Sequence, residues 1–150
     1  MPSRKRRIPV VFDTNVVVGF YLSRNPRSAN QKAFRLWRDQ RKLQLIVSDE
    51  VVEEYLEILA RLAVPDPLVR RLEERFARRK TITHVGLGSR LKVSRDPDDN
   101  IMVATARSGR ARFLVTNDND LHDISLLEQA RLRLEIVTPN ELLARIQAKE

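Results

Sequence analysis

Five acidic residues stand at or soon after the ends of short apolar runs or in the first turns of predicted helices. Asp13 directly follows Ile8-Pro9-Val10-Val11-Phe12, and Asp118 and Asp120 follow Phe113-Leu114-Val115-Thr116. Glu54 comes a few residues after Leu45-Ile46-Val47, and Asp99 follows Asp96-Pro97-Asp98. Carboxylates crowded together repel, and some take up protons unless a cation compensates them. Hard divalent cations such as Mg²⁺ and Mn²⁺ are that compensation, because they prefer oxygen ligands, and Mg²⁺ bridges to substrate phosphates. Two such ions roughly 3.5–4 Å apart activate a water and stabilise the leaving oxygen of a phosphodiester. Metal-assisted phosphoester hydrolysis is therefore the chemistry these residue types could perform, provided the fold brings them together.

The elements that must do so are readable from periodicity. Ile8–Phe12, Leu45–Val47, Ile82–Val85, Phe113–Thr116 and Leu134–Val137 read as strands. Ala29, Ala33, Leu36 and Trp37 recur at helical spacing between about Ser28 and Gln40. Ser48 caps a helix over 49–62, whose first turn is crowded with acids, as a helix dipole prefers. Its apolar stripe is expected around Val51, Tyr55, Leu59 and Leu62. That leaves Glu50, Glu53 and Glu57 solvated and Glu54 nearest the stripe, beside Ile58. Pro65 and Pro67 break the chain before an Arg- and Glu-rich helix over 68–79. Asp96-Pro97 opens another helix that ends near Gly109, Asn117 to Asp120 form an acidic loop, and Pro139-Asn140-Glu141 starts a last helix. Strands alternating with helices give an α/β fold: three α/β/α layers around a mostly parallel sheet of about five strands. In such sheets the ligand crevice lies at the carboxyl ends of the strands, the edge on which all five acids are expected.

Taken singly, each acid has a plainer role. Asp is a common cap of turns and helices, which would suffice for Asp13. Glu54 could lie on the surface. Asp99 stands where a capping-box partner of Asp96 would, and Asp98 is assigned to a solvated first turn. Asp118 and Asp120 look like a fragment of a calcium loop, but no Gly follows at the sixth position and the twelfth is Gln129. Their joint placement on one edge is harder to account for in these ways. Of the other chemistry-bearing types, His84 and His122 lack a partner pattern and are expected on the surface. Phe34 and Trp37 fall on a helical apolar stripe and are expected in the core or at an interface.

Composition narrows the field. The chain has 150 residues, enough for one core, and it contains no cysteine, which excludes disulfides and thiolate metal sites. No apolar run approaches the roughly 20 residues that cross a bilayer. The apolar stretch after the basic start is short and meets Asp13, unlike a secretory leader, so no membrane association and a cytoplasmic location are expected. Lys and Arg number 28 against 20 Asp and Glu, for a formal charge of +8, which favours a polyanionic partner, nucleic acid foremost. Arg4, Lys5, Arg6 and Arg7 make residues 1–7 a basic arm ahead of a domain over 8–150. Arg24, Arg27 and Arg95 flank the acid-bearing segments as candidate phosphate contacts.

Four segments carry a resemblance: Val10-Val11-Phe12-Asp13-Thr14-Asn15, Ser48 through Glu54, Asp96-Pro97-Asp98-Asp99-Asn100, and Leu114 through Leu121. In this order and spacing, over about residues 8 to 121, they resemble the PIN-domain nucleases, nearest the single-domain branch that includes VapC-type toxins. The resemblance implies a PIN-like fold and an Mg²⁺- or Mn²⁺-dependent endoribonuclease. It implies that Asp13, Glu54, Asp99 and Asp118 are the metal-binding and catalytic acids, with Asp120 auxiliary and Asn15 and Thr116 supporting. Asn117 stands where the common form of the last motif has Gly, a change that removes no ligand. The implied reaction is hydrolysis of RNA without a covalent enzyme intermediate. The implied partners are RNA, a cognate antitoxin if the chain is a toxin, and a second copy in a homodimer, for which apolar residues of the 68–79 helix are candidates. Two other classes of function compete: a non-catalytic RNA-binding or scaffold protein on the same fold, and a small-phosphoester hydrolase using the same metals. Retention of every matched acid disfavours the first, and the positive charge favours a polymer over the small substrate of the second.

Overall fold

Three central strands too apolar to face water on either side set the architecture. In the computed structural model, which describes residues 6–78, 80–87 and 97–148 (for 97–99 the backbone alone), β1 (Ile8–Phe12), β2 (Leu43–Val47) and β4 (Phe113–Val115) are largely buried. They pair with β3 (Ile82–His84) and β5 (Glu135–Val137) in one five-stranded sheet of order β3-β2-β1-β4-β5, parallel throughout. Near-continuous hydrophobic runs are what a parallel sheet covered on both faces demands.

Helices fill the crossovers: α1 (Thr14–Leu22), α2 (Ala29–Arg38), α3 (Asp49–Arg61), α4 (Asp66–Phe76), α5 (Pro97–Ser108), α6 (Asn119–His122), α7 (Leu126–Leu132) and α8 (Pro139–Ala148). The Phe12 ring lies 6.1 Å from Phe34 of α2, while Ile46, one residue out of phase in the register, lies against Gly109 at the end of α5. Because side chains alternate along a strand, α2 and α5 cover opposite faces, giving the three α/β/α layers. The α2 face is aromatic: Phe34 touches Phe12, Phe20, Tyr21 and Trp37, and Phe76 of α4 packs on Trp37 and Tyr55. Trp37 is fully buried yet satisfied, its indole N–H donating to the Thr81 carbonyl at 3.0 Å.

The expected elements are present: Ser48 caps α3 as expected, accepting from Val51 N, and Ser28 caps α2 by accepting from Gln31 N. Differences have local causes. α1 has a sequence, TNVVVGFYL, that is mostly apolar and rich in β-branched residues, so it carries no helical stripe; Thr14, Val16 and Val17 are buried, Val18 to Tyr21 are half-buried and Leu22 is exposed. The acidic loop after β4 closes into the single turn α6, capped by Asp118. On α3, Leu62 is 44% exposed, beyond the helix end, and Glu50 is half-buried with its Oε2 enclosed, not solvated. The apolar residues of α4 are not exposed either: Leu72 and Phe76 are core, and Leu68 and Val69 pack against it. The large exposed hydrophobics among the described residues are Leu22, Leu62, Leu126 and Leu127.

Candidate functional site

Strand order reverses between β1 and β4, since β1 leads towards β2 on one side and β4 towards β5 on the other. A crevice opens at such a point, outside the carboxyl ends of the two strands. Asp13 is the first residue beyond β1, and its N–H extends the ladder to the Val115 carbonyl at 2.9 Å. Thr116, the first residue beyond β4, is fully buried beside it and does the same to Val137.

A ladder of short polar bonds fixes the Asp13 carboxylate, which is only 7% exposed. Oδ1 accepts from the Thr14 N–H at 2.8 Å, as an N-cap of α1. Oδ2 accepts from the Thr116 hydroxyl at 2.6 Å and from Asn15 Nδ2 at 3.0 Å. Asn15 Oδ1 in turn accepts from the Asn117 N–H at 3.1 Å, and Asn117 Nδ2 reaches Asn30 of α2 at 3.0 Å. The plainer role and the chemical one thus coincide at Asp13: it caps a helix and it is a held carboxylate. Charge-assisted hydrogen bonds of this kind are short and remove rotational freedom.

Glu54 joins the same cluster through one residue. The Thr14 hydroxyl donates to Glu54 Oε2, so Thr14 links Asp13 through its backbone and Glu54 through its side chain. Tyr55, fully buried next to Glu54, donates its hydroxyl to the Phe12 carbonyl. Burial pushes the Tyr55 phenol well above its ordinary range, and the charges of Asp13 and then Glu54 push it further. Tyr55 therefore stays a proton donor to the Phe12 carbonyl.

Asp118 is tied in from the other strand. Its N–H donates to the Thr116 hydroxyl at 2.9 Å, the same oxygen that donates to Asp13, while its own Oδ1 caps α6 by accepting from Asp120 N at 2.9 Å. Asp120 is exposed. His122 reaches back to the Thr116 carbonyl at 2.9 Å, half-buried, whereas His84 is exposed on β3 and bonded to the Phe76 carbonyl. The backbone of Asp99 lies in the first turn of α5, and its side chain, like Arg95, lies outside the described residues. Arg24 and Arg27 are exposed in the turn between α1 and α2. Among the described residues no three acidic or histidine side chains gather into a metal-holding group. Asp13, Glu54, Asn15 and Thr116 thus come together, Asp118 stands beside them through Thr116, and Asp120 is exposed at the rim.

Residues 9–120 match the family model of the PIN domain. The chain belongs to the PIN-domain family. PIN domains are generally nucleases and typically use divalent metals, and the match ends with Asp120, so it contains all five acids. Among solved structures, this PIN domain is similar in fold to a chain of VapBC2 from Rickettsia felis, solved bound to a DNA fragment from the promoter of that system. The TM-score is 0.55 at 12% identity, covering 87% of this chain and 98% of that one. No curated protein matches the sequence. Sequence reasoning about this PIN domain missed Thr14 and Tyr55. Neither residue type announces a role, and both act through partners 40 and 43 positions away.

Proposed function

We propose that this protein is a metal-dependent endoribonuclease, hydrolysing RNA phosphodiester bonds at the carboxyl ends of β1 and β4. The observation that carries the reading is Asp13, a buried carboxylate held in one orientation by Thr14, Asn15 and Thr116 and coupled through Thr14 to Glu54. Hard oxygen donors oriented by their own hydrogen-bond partners are the donor set that Mg²⁺ and Mn²⁺ take, so the residues present fit such an ion. Asp13, Glu54, Asp99 and Asp118 would hold it, with Asp120 at the rim and Asn15 and Thr116 as supports. When bound, the metal supplies water activation and neutralises charge on the scissile phosphate.

The chain's own residues have separable tasks in this reading. Thr116 and Asn15 fix the direction in which Asp13 presents its oxygens. Tyr55 seals the floor beneath Asp13 and Glu54 and stays protonated at neutral pH. Arg24, Arg27 and Arg95 take flanking phosphates, and the nuclease domain spans 8–150 behind the basic arm over 1–7. The VapBC2 likeness supports a toxin role with a cognate antitoxin, and a cytoplasmic site of action and a homodimer accompany that role. The competing reading is a non-catalytic RNA-binding protein on the same fold.

Cleavage of a labelled single-stranded RNA with Mn²⁺, with Mg²⁺ and with EDTA separates the two readings, run alongside Asp13→Asn and Glu54→Gln. Metal-dependent cutting that both variants lose is expected. RNA that binds but is cut under none of these conditions would sink the nuclease reading.

A further inference from the structure

Opposite the acids, every strand of the sheet is preceded by cations. Arg6 and Arg7 come before β1, Arg41 and Lys42 before β2, Lys80 before β3, Arg110 and Arg112 before β4, and Arg133 before β5. Backbone bonds set these starts side by side: Ile8 N donates to Lys42 O, Arg112 N to Pro9 O, and Glu135 N to Arg112 O. Strands lie about 4.8 Å apart, so the row extends across roughly 19 Å. At its β3–β2 end the row deepens into a cavity of about 430 Å³ lined by Arg38, Arg41, Arg75, Arg78, Lys80 and Thr81.

Helix C-termini also end at this edge, and their partial negative charge attracts cations. That charge is only about half a unit per helix, and it falls off within a turn. Two helices, α2 and α4, end at the cavity, against five cations that line it. Asp39 is paired with Arg38 at 2.9 Å, and no other carboxylate is paired with a cavity-lining cation among the described residues. The cations disfavour one another: half-buried Arg75 is lowered from its usual value by burial and then by Arg38 and Arg78. A cluster that opposes itself in the unliganded protein gains most from a polyanion.

We propose that this edge is a second nucleic-acid contact, in which the cavity and the row beside it hold phosphates of a single-stranded RNA backbone away from the carboxylates. Bare phosphate would fill the cavity alone, whereas a line of cations crossing several strands matches a polymer that presents phosphates in succession. The choice of RNA rests on the nuclease reading, but its test does not require cleavage.

The experiment is fluorescence anisotropy of a labelled single-stranded RNA in EDTA over a KCl series. It uses the full chain and the triple variant Arg41→Gly, Arg78→Gln, Lys80→Gln. Arg41 has φ 53°, a conformation glycine adopts freely, and Arg78 and Lys80 are exposed, so the fold should survive and circular dichroism verifies it. Three lost phosphate contacts should flatten the slope of log K against log salt by about 2 and weaken binding about tenfold or more at low salt. A control triple, Arg61→Gln, Arg70→Gln, Arg71→Gln, removes equal charge from exposed positions of α3 and α4 and should change both far less. An unchanged slope in the first variant, or an equal change in the control, overturns the proposal. If inorganic tripolyphosphate binds the wild type and not the variant while RNA binding is unaffected, the site serves a free polyphosphate, and the RNA assignment falls. Absence of cleavage by the wild type, with binding that still depends on these residues, would remove the nuclease reading and leave this one standing.

Discussion

The two ends of the sheet treat charge in opposite ways. At the carboxyl ends of β1 and β4 the charge is negative, enclosed and held: Asp13 is 7% exposed and receives the Thr14 N–H, the Asn15 amide and the Thr116 hydroxyl. At the amino ends it is positive and spread out, with Arg41, Arg78, Lys80, Arg110, Arg112 and Arg133 exposed. Chemistry on a phosphate needs a few groups fixed within fractions of an ångström. Gripping a flexible polyanion needs summed charge and tolerates mobile side chains. The difference in burial therefore separates a place suited to reacting from one suited to holding, and each can be broken without the other.

The sharpest break is Asp13→Asn. A neutral amide offers one acceptor where the carboxylate offered two, so it opposes the donors around it and holds a cation poorly. Cleavage is expected to fall by about 10³-fold, equivalent to about 4 kcal/mol of barrier. RNA affinity in EDTA should stay level or rise, because a negative charge has gone. Cleavage within tenfold of wild type would detach Asp13 from the chemistry, and an RNA affinity falling in parallel would show that the two edges are not separable.

Thr116→Val tests the ladder, not the carboxylate. It keeps the shape of the side chain but deletes the hydroxyl that donates to Asp13 Oδ2 and accepts from Asp118 N. Outer partners of this kind are worth about 10–100-fold in metal affinity. The Mn²⁺ concentration for half-maximal cleavage should rise by that factor while the rate at saturation changes less. A loss confined to the saturated rate would mean that Thr116 acts elsewhere.

How much of this contrast is visible in the chain itself depends on sequence distance. The acid edge announces itself because strand ends and caps are local: Asp13 after Phe12, Ser48 before α3 and Asp118 after Thr116 are all read from neighbours. The joins are not local. Thr116 meets Asp13 across 103 positions, and Tyr55 meets Phe12 across 43. The α1 helix was hidden because its β-branched, mostly apolar sequence has no polar face to set a period. Glu50 was misplaced because a helical wheel assigns faces and not what packs over them. The basic edge was least visible of all, since Arg7, Arg41, Lys80, Arg112 and Arg133 are scattered along the chain and become a row only when parallel strands align their starts.

Tyr55→Phe sharpens the acid edge on the stability axis. The phenol donates to the Phe12 carbonyl in a fully buried setting, and its removal leaves that bond unmade beneath two carboxylates. A loss of about 1–2 kcal/mol in denaturant unfolding is expected, with m unchanged. A loss much below this would indicate that water replaces the hydroxyl, and that the floor beneath Asp13 is wetter than its burial implies.

The smallest expected effect separates two arginines on the basic edge itself. Arg38 has its guanidinium 4.8 Å above the Phe20 ring and pairs with Asp39, so it is partly a packing residue. Arg41 has no such seat among the described residues and holds a left-handed backbone at φ 53°, where a Cβ costs about 1 kcal/mol. Arg41→Gly is therefore expected to leave the melting temperature unchanged or raise it by up to about 2–4 °C, while Arg38→Gln lowers it by a similar amount. Opposite signs at positions three residues apart would show that the cation at Arg41 is kept against local backbone preference, as expected if it serves something outside the fold. A clear destabilisation by Arg41→Gly would instead make Arg41 part of the scaffold, and the contrast between a held edge and a spread one would narrow at that point.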